Sequence, residues 1–356
     1  MQTQRQDAPG YTPEAAMARE RPICQRCYRI RHYNDALKVA LQPQAYLDIL
    51  HHIGLTRSLV LHIVDLFDLE GSWIDGLHRF VGANPVWLVV NKVDLLPASI
   101  SLARLKHRLQ QRANEQGVRP EEIFLVSAKR GTGLEELLNL VRQRRQGRDV
   151  YVVGATNVGK SSLINRLSAL IGGSQAGDPP LTISPFPGTT LDTVKLPLPE
   201  GGELVDTPGV VHGHRLTEFL LPDDLRAVVP DKGLHPSIYQ LSPGQTLFLG
   251  GLARVDFVRG KRASFVCYVA DRVRIHRTKT DRADAIYREH LGHLLIPPSP
   301  STASSLPPWR RTTFFIDRPQ DVSISGLGWV AVKGADLTLD VLTSQGVRVI
   351  SRDCLI

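Results

Sequence analysis

The chain of 356 residues reads as an α/β fold followed by a β-rich region, and three observations carry that reading. Apolar runs of strand length alternate with segments of helical spacing from about 59 to 170. Several of those runs stop abruptly at a polar residue, as strands do when they feed a functional loop. Beyond about residue 225 the texture changes to short β-branched and aromatic runs with few helical stretches. Strands alternating with helices of this length predict a mostly parallel sheet covered on both faces.

Taken in order, the run 59–64 ends at Asp65, and 73–81 then has helical spacing. A second buried strand, 86–90, runs straight into Asn91. A polar-faced helix is predicted over 101–116, a strand over 123–126 and an amphipathic helix over 134–145. The strand 150–153 leads into a Gly-containing loop, 162–170 is helical, and strands near 193–198 and 203–205 lead to Asp206. Further on, strands are predicted over 246–249, 254–258, 264–269 and 273–276, with one helix over 283–295. The stretch 297–308, built largely from Pro, Ser, Thr and Ala, is expected to be a linker or exposed loop. Two or three more strands follow it. The expected division is a short N-terminal segment 1–41, an α/β domain 42–225 and a β-rich domain 226–356.

Composition narrows the setting. Hydrophobic content of 42% and charged content of 22% are ordinary for a globular protein. No apolar run is long enough to span a bilayer, and the polar N-terminal residues, Asp7 among them, do not read as a secretory or transit signal. Four cysteines, only two of them close in sequence, make no disulfide framework. The cytoplasm, with no membrane or DNA partner, is the expectation. A formal charge of +8 points towards a polyanion as partner.

The loop after the 150–153 strand is Gly154-Ala155-Thr156-Asn157-Val158-Gly159-Lys160-Ser161. Set between a strand and a helix, this spacing lets the backbone curl so that its N–H groups and the positive helix end surround phosphates. Lys160 is expected to bridge the β- and γ-phosphates and Ser161 to ligate Mg²⁺, with Val158, Gly159 and Ser162 lining the same cradle. The ordinary alternative, a glycine-rich turn, weakens with each further motif. Asp206-Thr207-Pro208-Gly209 ends a strand, placing a carboxylate at the Mg²⁺ shell and the Gly209 N–H by the γ-phosphate. Asn91-Lys92-Val93-Asp94 ends another, with Asp94 positioned to accept from guanine and Lys92 to pack over the base. Ser127-Ala128-Lys129 ends a third, with backbone to donate to the guanine oxygen. Strand ends converging on one edge are where an open α/β sheet holds its ligand. Between them, Pro187-Gly188-Thr189-Thr190 is expected to be a switch, Thr190 reaching Mg²⁺ only in the GTP state. Val210 stands where Ras-type enzymes carry the glutamine that orients water, so slow unassisted hydrolysis is expected.

The base tetrad precedes the phosphate loop, the reverse of the Ras order. With this order of motifs the chain resembles the circularly permuted GTPases, a Ras-like P-loop fold. Cys24-Gln25-Arg26-Cys27, Gly71-Ser72-Trp73-Ile74, Leu249-Gly250-Gly251-Leu252-Ala253-Arg254, His276-Arg277-Thr278-Lys279 and Ser325-Gly326-Leu327-Gly328-Trp329 extend the likeness to the YqeH family over nearly the whole chain. The resemblance implies a GTPase that assists assembly of the small ribosomal subunit, with a zinc module at the N-terminus and a C-terminal domain that contacts RNA. It also implies that Asn157 helps hold K⁺, which supplies charge that others take from an arginine finger; the alternative is a loop-stabilising Asn.

The zinc module departs from the family. A structural Zn²⁺ needs four ligands, and only Cys24 and Cys27 are present, with His32 as a third candidate; the first Cys pair would fall upstream of Met1. Cys267 and Cys354 are expected to be buried thiols. From 254 to 282 nine Lys or Arg face three acids. Strand alternation would bring Arg254, Lys261, Arg262, Arg272, Arg274, Arg277 and Lys279 largely to one face, able to track rRNA phosphates; a solvated surface is the plainer alternative. A rival to the timed GTPase is an RNA- or protein-binding scaffold that holds GTP with little turnover.

Overall fold

The computed structural model describes residues 43–97, 99–172, 182–185 and 192–356. Cys24, Cys27, His32, Thr189 and Thr190 lie outside the described residues. Leu47–Ile356 forms one compact unit.

Its first layer is a seven-stranded sheet. Helix α1 (Pro43–Gly54) leads to β1 (Leu59–Asp65), the short helices α2 (Leu69–Ser72) and α3 (Leu77–Phe80), then β2 (Val86–Asn91). Helix α4 (Leu102–Glu115), β3 (Glu122–Leu125), α5 (Leu134–Arg144), β4 (Val150–Gly154) and α6 (Lys160–Gly172) follow, with β5 (Thr182–Pro185), β6 (Asp192–Pro197) and β7 (Glu203–Asp206) completing the sheet. The strand order is β3-β2-β1-β4-β7-β6-β5. β3, β2, β1, β4 and β7 pair in parallel, while β6 and β5 run antiparallel at one edge. Every residue of the central strands β1, β2 and β4 is buried, which is why they read as unbroken apolar runs rather than alternating ones. Helix α4 begins at Ser101, whose hydroxyl accepts from Arg104 N, and turns Leu105, Leu109 and Ala113 inward at helical spacing. The expected helix over 73–81 is instead the single short helix α3 from Leu77, entered through Gly76 at φ +70°.

Helix α7 (Pro222–Val228) leads to the β-rich region: β8 (Ser237–Leu241), β9 (Gln245–Leu249), β10 (Ala253–Arg259), β11 (Ala263–Val269), β12 (Ile275–Lys279), helices α8 (Thr280–His290) and α9 (Pro300–Ala303), β13 (Trp309–Ile316), β14 (Gln320–Ile324), β15 (Gly328–Lys333), β16 (Leu337–Ser344) and β17 (Val349–Asp353). They form two antiparallel sheets, β12-β9-β10-β16-β13 and β17-β14-β15-β11-β8. Alternate residues of both sheets, among them Leu247, Val255, Phe257, Leu339, Phe265, Val330 and Val322, share one apolar core. Five strands follow 308 rather than two or three, and β8 was not foreseen because its exposed Ile238 and half-buried Ser237 invert the usual alternation.

The stretch 297–308 is no linker. Asp224 of α7 accepts from Ser299 N and Oγ, at 2.9 and 2.7 Å, and from Thr302 Oγ1, and Thr302 is fully buried. Its Pro, Ser and Thr contribute little core, but they cap one buried carboxylate that composition alone does not reveal.

The parallel sheet meets the second β-sheet through Trp329. Phe67 and Leu95, just past the ends of β1 and β2, pack with Trp329, Val266, Ala331 and Leu234. Tyr268 stacks on the Trp329 ring at 4.6 Å, and the Arg352 guanidinium lies over it at 5.7 Å. Beside it, Arg112 binds Glu70 by two hydrogen bonds of 2.9 and 2.7 Å, and Arg352 adds a third at 3.2 Å. Burial pushes the Glu70 carboxyl up, but those two guanidiniums outweigh it and hold it below the usual range. Trp329→Ala is expected to cost about 3 to 5 kcal/mol, the range for emptying a large buried aromatic site, and calorimetry should show a lower unfolding midpoint; an unchanged midpoint would deny Trp329 this role.

Candidate functional site

Because β1, β2, β3, β4 and β7 are parallel, their carboxyl ends open on one edge. The predicted motifs follow from this: Asn91–Asp94 leaves β2, Ser127–Lys129 follows β3, the phosphate loop leaves β4, and Thr207–Val210 leaves β7. The structure thus brings together all predicted nucleotide residues that it describes.

Asn91 ties three loops. Its Nδ2 donates to Val158 O at 2.8 Å, and its Oδ1 accepts from Ala128 N at 3.0 Å. Gly159, with φ +91°, is required because a Cβ there would run into Asn91 Nδ2. Lys92 Nζ pairs with Asp65 Oδ2 at 2.5 Å and donates to Asn157 O at 3.0 Å, so its ammonium supports the phosphate loop while only its stem remains to pack over a base. Asp94 is almost covered, with Arg130 Nε 4.0 Å away. Ser127 N–H is taken by Thr132 O and Ala128 N–H by Asn91, which narrows the main-chain donor expected of this motif to Lys129, an exposed residue whose Nζ bonds Asp231 O. Asn157 is exposed and has φ +62°, a backbone state that favours asparagine with or without a cation.

Lys160 is buried and its Nζ donates to Gly154 O and Ala155 O at 3.0 and 2.9 Å. Burial lowers its ammonium to about 8, although Asp206 pulls the other way. Burial likewise raises the Asp206 carboxyl to about 6 against the attraction of Lys160. Desolvation therefore outweighs the pair's own attraction, and Asp206 Oδ1 is buried with no hydrogen-bond partner. A phosphate beside Lys160 and a divalent cation beside Asp206 are the charges this arrangement fits. Ser161 and Ser162, half-buried, begin α6 next to them. The chain beyond β7 stays paired: Val210 N donates to Gly154 O at 3.2 Å and Thr156 N to Val210 O at 2.8 Å. Gly209 sits so close that a Cβ would lie 2.8 Å from Lys160 Nζ.

Two residues of this site carried no sequence signal. Arg215, 147 positions from its partner, donates from Nε to Asp68 Oδ2 at 2.7 Å and from Nη1 to Thr156 O at 2.8 Å. A lone Asp and a lone Arg so far apart show no periodicity or motif. Behind them His212 and His214 pack ring to ring at 5.0 Å, and His62 lies edge-on to Trp73. Burial is the main cause that lowers His62 to about 3, and His212 to about 4.

The basic set does not form one face. Arg254 is buried, its Nε on Asp256 Oδ1 at 2.7 Å and its Nη1 on Asp284, so it is not a surface cation. It is the second residue of β10, whose first five residues are all buried, and Asp256 and Asp284 supply its counter-charge there. Lys261 and Arg262 precede β11 while Arg272 and Arg274 follow it, at opposite ends of a strand roughly 20 Å long. Arg277 and Lys279 are exposed on the edge strand β12. Cys267 is a buried thiol, pushed up to about 12, as expected; Cys354 is only half-buried. Among the described residues no group of three or more His, Cys, Asp or Glu could hold a metal ion, and no helix is long and apolar enough to cross a membrane.

Two family models and several known proteins match this chain. A family model described as 50S ribosome-binding GTPase matches residues 149–237, and one described as YqeH-like, C-terminal, matches 262–355. The chain is 45% identical to the Bacillus subtilis uncharacterized protein YqeH over 100% of its own length and 97% of that protein. It is 34% identical to the small ribosomal subunit biogenesis GTPase RsgA of Haemophilus influenzae over 37% of this chain and 35% of the relative. Among solved structures, YjeQ from Thermotoga maritima matches with 23% identity and a TM-score of 0.28, covering 46% of this chain and 53% of that one.

The buried histidines give the fold an acid limit. Unfolded, each binds a proton near pH 6.5; folded, His62 and His212 resist protonation down to about 3 and 4. For these two groups the unfolded state holds more protons between pH 6.5 and 4, so their contribution is present above 6.5 and is lost as pH falls, at about 1.4 kcal/mol per pH unit for each histidine, offset in part below about 6 by Asp206, whose raised carboxyl the folded state protonates first. Thermal midpoints of the nucleotide-free protein should drop over that window, and His62→Gln should flatten the drop.

Proposed function

Since the chain belongs to the YqeH family of circularly permuted GTPases, we propose that it hydrolyses GTP to GDP and phosphate as a nucleotide-timed assembly factor for the small ribosomal subunit. The buried Lys160, with Gly209 against its Nζ and the half-buried Asp206 near enough to act on its charge, is the observation that carries the reading. In it, Asp94 reads guanine, Lys129 N–H donates to the base, and Lys160, with the N–H groups of 157–162, binds the phosphates. Ser161, Thr190 and Asp206 would hold Mg²⁺, and Asn157 a K⁺ ion. Both ions supply positive charge to the phosphates when bound. The chain's own part is to hold that geometry and to present Gly209 N–H beside Lys160.

The names of relatives divide on the ribosomal partner: the family model that matches 149–237 names the 50S subunit, whereas RsgA names the small one. The small subunit is our reading, with rRNA contacted by Lys261, Arg262, Arg277 and Lys279, in the cytoplasm. One observation favours the rival, a GTP-holding scaffold: Val210, at the position of the water-orienting glutamine, is clamped in a ladder with Gly154 and Thr156. Co-sedimentation with purified small and large subunits, comparing a non-hydrolysable GTP analogue with GDP, separates these. The expected outcome is analogue-favoured binding to the small subunit and faster phosphate release in its presence; binding without stimulation would favour the scaffold, and selective binding to the large subunit would overturn the assignment. A site that reads a base through its hydrogen bonds can reject an analogue lacking them by roughly 10⁴ to 10⁵. ATP should therefore compete poorly, and Asp94→Asn should weaken that preference in a nucleotide competition assay.

A further inference from the structure

We infer that Arg215 is a positioning residue for GTP hydrolysis, through which the C-terminal turn at Ser325-Gly326 sets the shape of the phosphate loop. This rests on the nucleotide site proposed above.

One buried carboxylate serves both sides. Asp68 Oδ2 accepts from Arg215 Nε at 2.7 Å, while Asp68 Oδ1 accepts from Gly326 N at 2.9 Å. Asp68 and Arg215 are each only 3% exposed. The other end of the guanidinium holds Thr156 O. A chain of three hydrogen bonds therefore runs from the 325–326 turn of the β-rich region to the phosphate loop. The turn is held from the other direction as well: Leu216 N donates to Ser325 O at 2.8 Å, Ser325 N to Arg348 O at 3.0 Å, and Arg348 N to His214 O at 2.9 Å. Gly326 has φ +83°, and a Cβ there would stand 2.9 Å from both Leu216 N and Thr217 N. No other side chain fits without pushing the turn off Asp68.

Thr156 is the residue that makes this matter. Its N–H pairs with Val210 O, its Cα and Cγ2 lie 3.1 Å from where a Cβ on Gly209 would be, and its Oγ1 is buried with no partner. The carbonyl that Arg215 grips thus belongs to the phosphate-loop residue in direct contact with the Gly209 segment. A shift of Thr156 would move the two strand ends that carry Lys160 and Gly209 relative to each other. Binding of a nucleotide diphosphate draws on Lys160 and the loop N–H groups; only hydrolysis needs Gly209 registered against them. The effect of Arg215 should therefore fall on turnover more than on affinity.

The test uses the full chain with Arg215→Met, Arg215→Lys and Gly326→Ala, each checked for its thermal unfolding transition. Single-turnover hydrolysis of bound GTP and equilibrium affinity for GDP are measured side by side. Arg215→Met and Gly326→Ala should slow hydrolysis about ten- to a hundredfold, the scale of a small misplacement, with GDP affinity changed by less than about threefold, and Arg215→Lys should recover part of the loss. Unchanged hydrolysis in folded Arg215→Met or Gly326→Ala would overturn the inference. So would equal losses of GTP and GDP affinity with normal hydrolysis of what binds, the mark of a merely structural ion pair. If Arg215→Met does not fold, the charge-conserving Arg215→Lys and the remote Gly326→Ala decide alone. A wild-type chain that binds no guanine nucleotide would instead refute the nucleotide site itself.

Discussion

Two buried carboxylates, Asp65 at the end of β1 and Asp68 just past it, hold the phosphate loop, each through a cation. Asp65 pairs with Lys92, which donates to Asn157 O; Asp68 pairs with Arg215, which donates to Thr156 O. Consecutive carbonyls of the loop are thereby held by two acid–base pairs from different parts of the chain. Burying such charges carries a desolvation penalty of several kcal/mol per ion, which close pairing roughly repays, whereas removing one partner costs about 3 to 5 kcal/mol. The pairs therefore add little net stability, and their consequence is geometric. They leave the loop one low-energy position, with Asn157 in a left-handed conformation and Gly159 against Asn91.

The stabilisation comes from elsewhere. Around Trp329, the apolar faces of Phe67, Leu95, Val266 and Ala331 close over one another where the parallel sheet meets the second β-sheet. At about 25 cal/mol per Å² of apolar area removed from water, a buried tryptophan outweighs several exposed ion pairs of at most about 1 kcal/mol each. The Glu70, Arg112 and Arg352 cluster beside it then fixes which rotation of the two layers is allowed. Apolar contact joins the layers, and buried charge sets their register.

The sheet and the motif edge were legible because they rest on local signals. Unbroken apolar runs gave the central strands, and each motif sat at the end of one, so Asn91, Asp94, Lys160 and Asp206 were placed without coordinates. Asp68, Arg215 and Gly326 were not, because their meaning lies in hydrogen bonds spanning up to 258 positions. The same blindness misplaced Arg254: sequence shows a cation in a basic stretch, while Asp284, thirty residues on, neutralises it in a covered position. Composition also misread 297–308, where Ser299 and Thr302 bind the Asp224 carboxylate while Ser301, Ser304 and Ser305 meet water. Pairings between distant residues were the part that no local pattern encodes.

Circular permutation gives these long-range contacts their direction. In this order of elements the strand that ends at Asp206 is the last of the parallel sheet, and the chain passes from it into the β-rich region. Val210 is fixed to Gly154 and Thr156 by the extended ladder, and Arg215 is fixed to Thr156 and Asp68 five residues later. Five residues reach at most about 17 Å, so the segment after Gly209 is pinned at both ends to the same loop residue. It cannot follow a bound phosphate by flexing in its middle while its ends stay put, because its far anchor also holds the 325–326 turn through Asp68. A rearrangement at Gly209 must either break the Val210 ladder or carry the Arg215 anchor, and with it the turn. The permuted order thus places the segment after Gly209 in mechanical series with the C-terminal sheets through the Arg215, Asp68 and Gly326 hydrogen bonds, a connection that a Ras-type order, with the base tetrad downstream of this segment, would not impose.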